Sequence, residues 1–194
     1  MQILKQFGIA ALTVLAFIPL DIAKTEAADK YKIDLAHTTV GFSIMRQGYN
    51  NLVGGFREFD GSIVFDEQNV SNSKVEITIK TASFYSGWAA RDKDLRSPNF
   101  FNVQEFPEMK FISTKIVKTG DKTGTMSGNL TLLGVTKPVT LTVKFNRKGT
   151  RKDKTFSGFS ATGTIDRTDW GMNRFAKFVG PKVNLSFEIL AVKQ

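Results

Sequence analysis

Residues 128–146 read GNLTLLGVTKPVTLTVKFN, two strands joined by one turn. In the second strand Val139, Leu141, Val143 and Phe145 alternate with Thr140, Thr142, Lys144 and Asn146. Successive strand side chains point to opposite faces, so one face is apolar and the other wet. In the first strand Leu130 and Leu132 share a face, with Gly128 and Gly134 at its ends. Gly134, Val135, Thr136, Lys137 and Pro138 carry the chemistry of a turn, and Pro138 is expected where the second strand begins, because it has no N–H to give to a ladder. What remains to be found is what the apolar face closes around.

Moving outward, the same alternation recurs. Residues 30–34 form a short first strand, and residues 34–38 a corner. Val40, Phe42 and Ile44 share one face of a second strand. In residues 52–66, LVGGFREFDGSIVFD, Asp60-Gly61 suits a hairpin turn or a bulge in one long bent strand, and the bulge is preferred, since a closed sheet needs bends and glycine permits them. Val75, Ile77 and Ile79 alternate with Lys74, Glu76, Thr78 and Lys80. Further strands are expected over 109–117 and 155–165, and the last carries Val183, Leu185, Phe187 and Ile189 on one face. Around eight strands at steady spacing, with turn signals between them, argue for one antiparallel sandwich or barrel.

Three stretches break the pattern. Between Ser83 and Pro107 the alternation stops, residues 88–96 are good helix formers, and Phe100, Phe101, Val103 and Phe106 follow. These aromatic residues are placed to plug or roof a sheet-lined cavity. Residues 147–154, RKGTRKDK, make a strongly basic hairpin tip that reads as a solvated loop or as an anion contact. Residues 166–172, DRTDWGM, form a polar corner carrying a large ring.

Composition narrows the function. The 194-residue chain is long enough for one domain with a real core, and its 17 Phe residues suit an aromatic interior. It has no Cys, which removes disulfides, thiol catalysis and Cys-ligated metal, and its single His, His37, rules out any site needing two. The net charge of +9 favours anionic partners. At the N-terminus, Lys5, the apolar run 7–20 and the small residues of Thr25-Glu26-Ala27-Ala28 read as an export signal cleaved after Ala27. The run is too short to span a bilayer, which needs roughly 20 residues. The domain division is therefore a signal peptide, 1–27, and a single barrel domain, 28–194. Export makes nucleic acid an unlikely partner.

Five motifs in order resemble the YceI-like family of exported polyisoprenoid-binding proteins. They are Tyr31-Lys32-Ile33-Asp34 with His37-Thr38; Gly55-Phe56 through Phe59-Asp60-Gly61; Arg91-Asp92 with Leu95 through Phe100-Phe101-Asn102-Val103 and Phe106-Pro107; residues 128–141; and Asp166-Arg167-Thr168-Asp169-Trp170-Gly171-Met172. Trp170 departs from the pattern, where a smaller aromatic such as Phe is expected. The resemblance implies an all-β fold: a single extended antiparallel lipocalin-like β-barrel of about eight strands with a short helical insertion near residues 88–105. It implies a periplasmic protein that binds a long-chain isoprenoid lipid, a polyprenyl phosphate or an isoprenoid quinone, for carriage, storage or stress response. It implies no catalytic activity, cofactor or metal. An anionic membrane surface is a further candidate partner, and a homodimer is among the open oligomeric states.

The chemistry asked of such a protein is shape and dryness. Candidates for the lumen are Phe42, Phe56, Phe65, Ile77, Phe84, Phe111, Leu132, Leu141, Val143, Phe159, Trp170 and Phe187, each of which also reads as ordinary core packing. A phosphate head calls for Arg or Lys at the mouth. Arg91, Arg96, Arg167 and Arg174 lie in the non-strand stretches and are the candidates, with pairing to Asp92, Asp94, Asp166 or Asp169 as their alternative role. Two other functions stay open: adhesion or acidic-glycan binding through the basic loop 147–154, and an enzyme acting on a bound lipid through Asp34, His37 and a nearby hydroxyl.

Overall fold

The computed structural model describes residues 28–194, so the export signal expected over 1–27 lies outside the described residues. In chain order the strands are β1 (Asp29–Ile33), β2 (Thr39–Arg46), β3 (Asn50–Phe56), β4 (Phe59–Phe65), β5 (Lys74–Lys80), β6 (Phe84–Tyr85), β7 (Glu108–Lys118), β8 (Thr123–Leu132), β9 (Val135–Arg151), β10 (Lys154–Asp166) and β11 (Val179–Lys193), with one helix, α1 (Ala89–Leu95), between β6 and β7. All pairings are antiparallel. Eight strands close a barrel in the order β1-β4-β5-β7-β8-β9-β10-β11, and β11 pairs back onto β1 through Tyr31 and Lys193. The all-β barrel with one short helix is as the sequence predicts.

The three remaining strands extend this barrel at one end. β2 continues from β1 along the same edge of β11, β3 pairs with β2, and the short β6 pairs with β3. β1 and β2 are one strand interrupted by a 3-10 turn at Leu35–His37, which the Asp34 carboxylate caps by accepting from the Ala36 N–H at 3.0 Å. Across the interruption the Thr38 hydroxyl accepts from the Leu190 N–H at 3.1 Å, so a side chain takes over one bond of the ladder. β3 and β4 are likewise one bent strand. The break falls at Arg57 and Glu58, two residues before the expected bulge, and Gly61 lies within β4.

The hairpin of 128–146 is longer and tighter than its sequence suggests. Its turn is two residues, Leu133 and Gly134, with φ of +50° and +72°. That pair of left-handed residues matches the twist of the flanking strands, as in a type I′ turn. Val135 to Pro138 are therefore strand, and Pro138 stands opposite Asn129 inside it. Pro138 is tolerated there because β9 gains its second neighbour, β10, only from Thr142 onward. Gly128 is required by packing: a Cβ there would lie 2.6 Å from the Ile112 carbonyl, beside the Phe111 ring.

The basic stretch 147–154 is also not a loop. β9 and β10 run through it and turn at Lys152 and Asp153 alone. Lys148 reaches Glu67 at 3.2 Å and Asp29 at 3.6 Å, and Lys193 reaches Asp29 at 2.5 Å. These pairs tie the strand ends to the loop after β4.

Candidate functional site

The apolar faces of the barrel enclose a cavity of about 650 Å³. It is bounded by Val40, Phe42 and Ile44 of β2, Ile63 and Phe65 of β4, Ile77 and Ile79 of β5, Phe111 of β7, Leu130 and Leu132 of β8, Leu141 and Val143 of β9, and Leu185 and Phe187 of β11. Many of these side chains are only partly buried although they point inward: Phe42, Ile77, Phe111, Leu130, Val143, Leu185 and Phe187 pack against the core yet keep accessible surface. That surface faces the cavity, so these residues line a lumen instead of filling it.

Two aromatic clusters bound the lumen. At one end Phe65 of β4 meets Phe145 of β9 at 5.3 Å and Phe159 of β10 at 5.1 Å between ring centroids. β4 and β9 stand on opposite sides of the ring of strands, so this contact crosses the barrel. Nearer the other end Phe42, Phe56, Phe84 and Phe101 form a second cluster with centroids 5.5 to 6.3 Å apart. β6 and β7 do not pair; Phe101, from the segment after α1, packs on Phe56 and Phe84, and Phe100 meets Phe175 at 6.3 Å between ring centroids. The 83–107 insertion, expected to plug or roof the cavity, borders it near this end through Trp88, Leu95, Phe100 and Phe101.

The lumen reaches the surface at that end, where Arg46, Leu52 and Val53 of the β2–β3 hairpin, Trp88 and Arg91 beside α1, and Phe175 and Val179 bound the cavity. Exposed Lys118, Asp121, Lys122 and Lys144 around the β7–β8 turn border it at the opposite end.

Eleven of the twelve lumen candidates border the cavity. Trp170 does not. It is 3% exposed within the core cluster, and its indole N–H donates to the Leu130 carbonyl at 3.1 Å, so it packs as a strut against β8. The arginine candidates divide differently. Arg167 borders the cavity but is buried, and its guanidinium donates to the carbonyls of Met172 (2.5 Å), Arg174 (2.9 Å), Val179 (2.9 Å) and Gly180 (3.3 Å). Burial lowers its pKa, partly offset by the nearby Asp166. Arg91 borders the cavity and donates to the Ser86 hydroxyl at 2.7 Å and carbonyl at 2.6 Å. Arg96 stands off the cavity and donates to the carbonyls of Ala82 and Phe84. These three pin bends of the chain and carry no direct ion pair to Asp92, Asp94, Asp166 or Asp169; Arg174 lies over the Phe175 ring at 4.5 Å. Arg46, which sequence reasoning does not single out, borders the mouth because β2 pairs with β11 through Arg46 and Val179.

The Asp34–His37 pair exists, with Nδ1 to Oδ2 at 3.0 Å. Its geometry is that of a capped turn on the outer surface, away from the cavity. The His37 hydrogen bond, with the Ala36 N–H, holds the Asp34 carboxyl below its usual range. No cluster of three or more His, Cys, Asp or Glu side chains suited to a metal ion occurs among the described residues.

Comparison with known proteins agrees with this architecture. The family model of the YceI-like domain matches residues 31–191. A UPF0312 protein of Photorhabdus laumondii is 44% identical over 163 residues, 82% of this chain and 83% of that protein. Among solved structures, Burkholderia cenocepacia BcnA superposes with a TM-score of 0.76 at 22% identity, covering 81% of this chain and 98% of that one. A polyisoprenoid binding domain from Saccharophagus degradans, implicated in plant cell wall breakdown, superposes with a TM-score of 0.65 at 13% identity, covering 87% of this chain and 100% of that one.

Proposed function

The chain belongs to the YceI-like family, and from that premise we propose that its lumen holds the tail of a long-chain isoprenoid lipid, with the head group at the β2–β3 end. The observation that carries the reading is the cavity itself: about 650 Å³ with a wall made mainly of Phe, Leu, Ile, Val and Met, and with charged side chains such as Arg46, Arg91, Lys118 and Lys122 also on its border. At about 30 Å³ for each group the size of a water molecule, it takes roughly 20 carbon atoms, or four isoprene units. A polyisoprenoid has no polar group along its tail, so such a wall leaves nothing unsatisfied. Transfer of the tail yields about 25 cal/mol per Å² of apolar surface before ordering costs. The polyisoprenoid-binding description of the Saccharophagus domain supports the same ligand class.

The head group is a phosphate or a quinone ring. Arg91, Arg96 and Arg167 are committed to main-chain or hydroxyl acceptors, so Arg46 and Arg174, both exposed at the mouth, are the groups that would meet a phosphate. The reading assigns carriage or storage of lipid in the periplasm, in line with the export signal expected from the sequence of residues 1–27, and it needs no bond-making step. Mass spectrometry of an organic extract from protein purified out of its native host tests it. An isoprenoid at near-stoichiometric amount is expected. Repeated preparations containing only diacyl lipid, or none, would overturn it.

A further inference from the structure

We propose that the mouth of the barrel docks on an anionic lipid bilayer, with Phe175, Phe178 and the β2–β3 hairpin seated in the interface; the inference rests on the lipid-carrier reading and adds where the cargo is exchanged. Ten large hydrophobic side chains are exposed on the described surface, and six of them, Met45, Tyr49, Val53, Trp88, Phe175 and Phe178, gather at this one end with 42 to 83% of their surface accessible. Three of the six, Val53, Trp88 and Phe175, also border the cavity, so the exposed rim is continuous with the lumen; at the opposite end a single exposed apolar residue among those described, Val117, borders it. Scattered single apolar residues on a surface are ordinary, whereas a contiguous rim around a cavity marks an interaction site.

The exposure is built in. The segment 173–178 reads NRFAKF, two phenyl rings each preceded by a cation. Phe175 has φ of +55°, a conformation that bulky residues rarely adopt. Its carbonyl accepts from the N–H groups of Phe178 (2.9 Å) and Val179 (2.8 Å), and the Phe178 carbonyl accepts from the Gln47 N–H at 2.9 Å, which ties the segment to the β2–β3 turn. The buried Arg167 holds the carbonyls of Arg174 and Val179 from beneath. A backbone pinned at this many points in a disfavoured conformation presents its rings to solvent by construction.

Charge selects the occupant. Arg46, Arg174 and Lys177 are exposed among the rings, and Arg91 lies 5.8 Å from the Trp88 ring. On the acidic side, Asp166 is paired with Lys182 at 3.4 Å and Asp92 accepts from the Ser86 hydroxyl. Asp94 at the cavity border and Asp169 are exposed without an ion pair among the described residues, so the cations Arg46, Arg91, Arg174 and Lys177 outnumber the unpaired acids by four to two. Aromatic rings flanked by cations are the combination that partitions to the boundary of an anionic bilayer, with acyl chains below and phosphates above. A tail leaving the lumen through this mouth would pass directly into the hydrocarbon.

Flotation of the purified protein with vesicles tests the proposal. Binding is expected to vesicles of phosphatidylglycerol and phosphatidylethanolamine, to weaken as salt rises, and to be slight on pure phosphatidylcholine. Trp170 is buried, so Trp88 is the reporter: its emission should shift to the blue and be quenched by brominated lipid. Lys177→Gln should weaken binding about fivefold, the share of one interfacial cation. Tyr49→Ser with Phe178→Ser, neither of which borders the cavity, should weaken it by about tenfold or more while the circular dichroism and the isoprenoid content stay unchanged. No binding to anionic vesicles at low salt would overturn docking, as would binding that all three substitutions leave intact. A concentration-dependent dimer that these substitutions dissolve, without effect on vesicles, would also overturn it and assign the rim to a second copy. Docking fails alone if isoprenoid is present but vesicles are ignored; the cargo reading fails alone if vesicles bind but no isoprenoid is found.

Discussion

The indole N–H of Trp170 donates to the main-chain carbonyl of Leu130 across 3.1 Å, joining the corner before β11 to the hairpin of β8 and β9. The ring is thus a brace buried in the core that does not border the cavity. Replacing it with phenylalanine keeps most of the apolar contact and removes the donor. Trp170→Phe should lower stability by about 1 to 3 kcal/mol in urea denaturation, as for other buried acceptors left unpaired. Isoprenoid content should not change, and a large loss of bound lipid with unchanged stability would place the ring back in the lumen.

Narrowing the lumen should expel cargo without unfolding the barrel. Val143 is half-buried, faces the cavity and sits on β9 among partly exposed neighbours. Val143→Trp projects a large ring into space that is available. Expelling two tail carbons, at about 0.8 kcal/mol each, should raise the dissociation constant for an isoprenoid roughly tenfold. Fluorescence titration with a labelled isoprenoid alcohol reads this directly. Equal affinity in the variant would mean that the tail lies elsewhere.

Ser157 is fully buried on β10, and its hydroxyl finds no hydrogen-bond partner among the described residues. A buried hydroxyl without a partner is a cost that alanine removes. Ser157→Ala should leave stability equal or raise it by about 1 kcal/mol. Thermal melts of the two proteins decide the matter; a clear drop in melting temperature would reveal a partner for the hydroxyl.

Acid should loosen the ends of the barrel first. Hydrogen bonds lower the carboxyl pKa of Asp29 through Lys193, of Asp34 through His37, of Asp66 through Asn72 and the Asn69 N–H, of Glu108 through Lys80, and of Asp166 through Thr168. Each carboxylate is more acidic folded than unfolded. Its contribution is therefore complete above the ordinary carboxyl range, near pH 4, and disappears as pH falls through the lowered folded value. Melting temperature should hold from neutrality to about pH 5 and then fall. Asp66 accepts from the Gln68 and Asn69 N–H groups and from the Asn72 amide, so Asp66→Asn should melt lower at neutral pH and show a shallower acid limb. An acid limb as steep as that of the parent would exclude Asp66 as a contributor.

Most of the wall was legible in the sequence because a strand has a period of two. Once Leu141 faces inward, Val143 and Phe145 must follow, and cross-strand pairing extends the choice to Leu130 and Leu132. The turn was less legible. Pro138 suggests a strand boundary, yet an edge position without a second neighbour accepts it, and Leu133 adopts a left-handed conformation that leucine seldom shows. The mouth was illegible for another reason. Arg46, Val53, Trp88 and Phe175 come from separate segments, and only the pairing of β2 with β11 and of β3 with β6 brings them together. Arg96 and Arg167 lie in non-strand stretches, as a ligand residue would, but their guanidinium groups serve carbonyls exposed where the chain bends. Trp170 shows the same limit: ring size does not tell whether a buried ring borders the cavity or packs beside it.

The pairing of Tyr31 with Lys193 that seals the barrel has a kinetic consequence. β11 follows the other strands of the barrel in chain order, and it is the shared neighbour of β10, β1 and β2. Until its final residues are available, the sheet is an open ribbon with an unpaired edge, and no interior exists to receive a lipid. Closure joins distant parts of the chain, which slows folding. The chain must therefore be synthesised through β11 before the lumen exists, and whatever guards the open ribbon in the meantime sets how much of it survives to close.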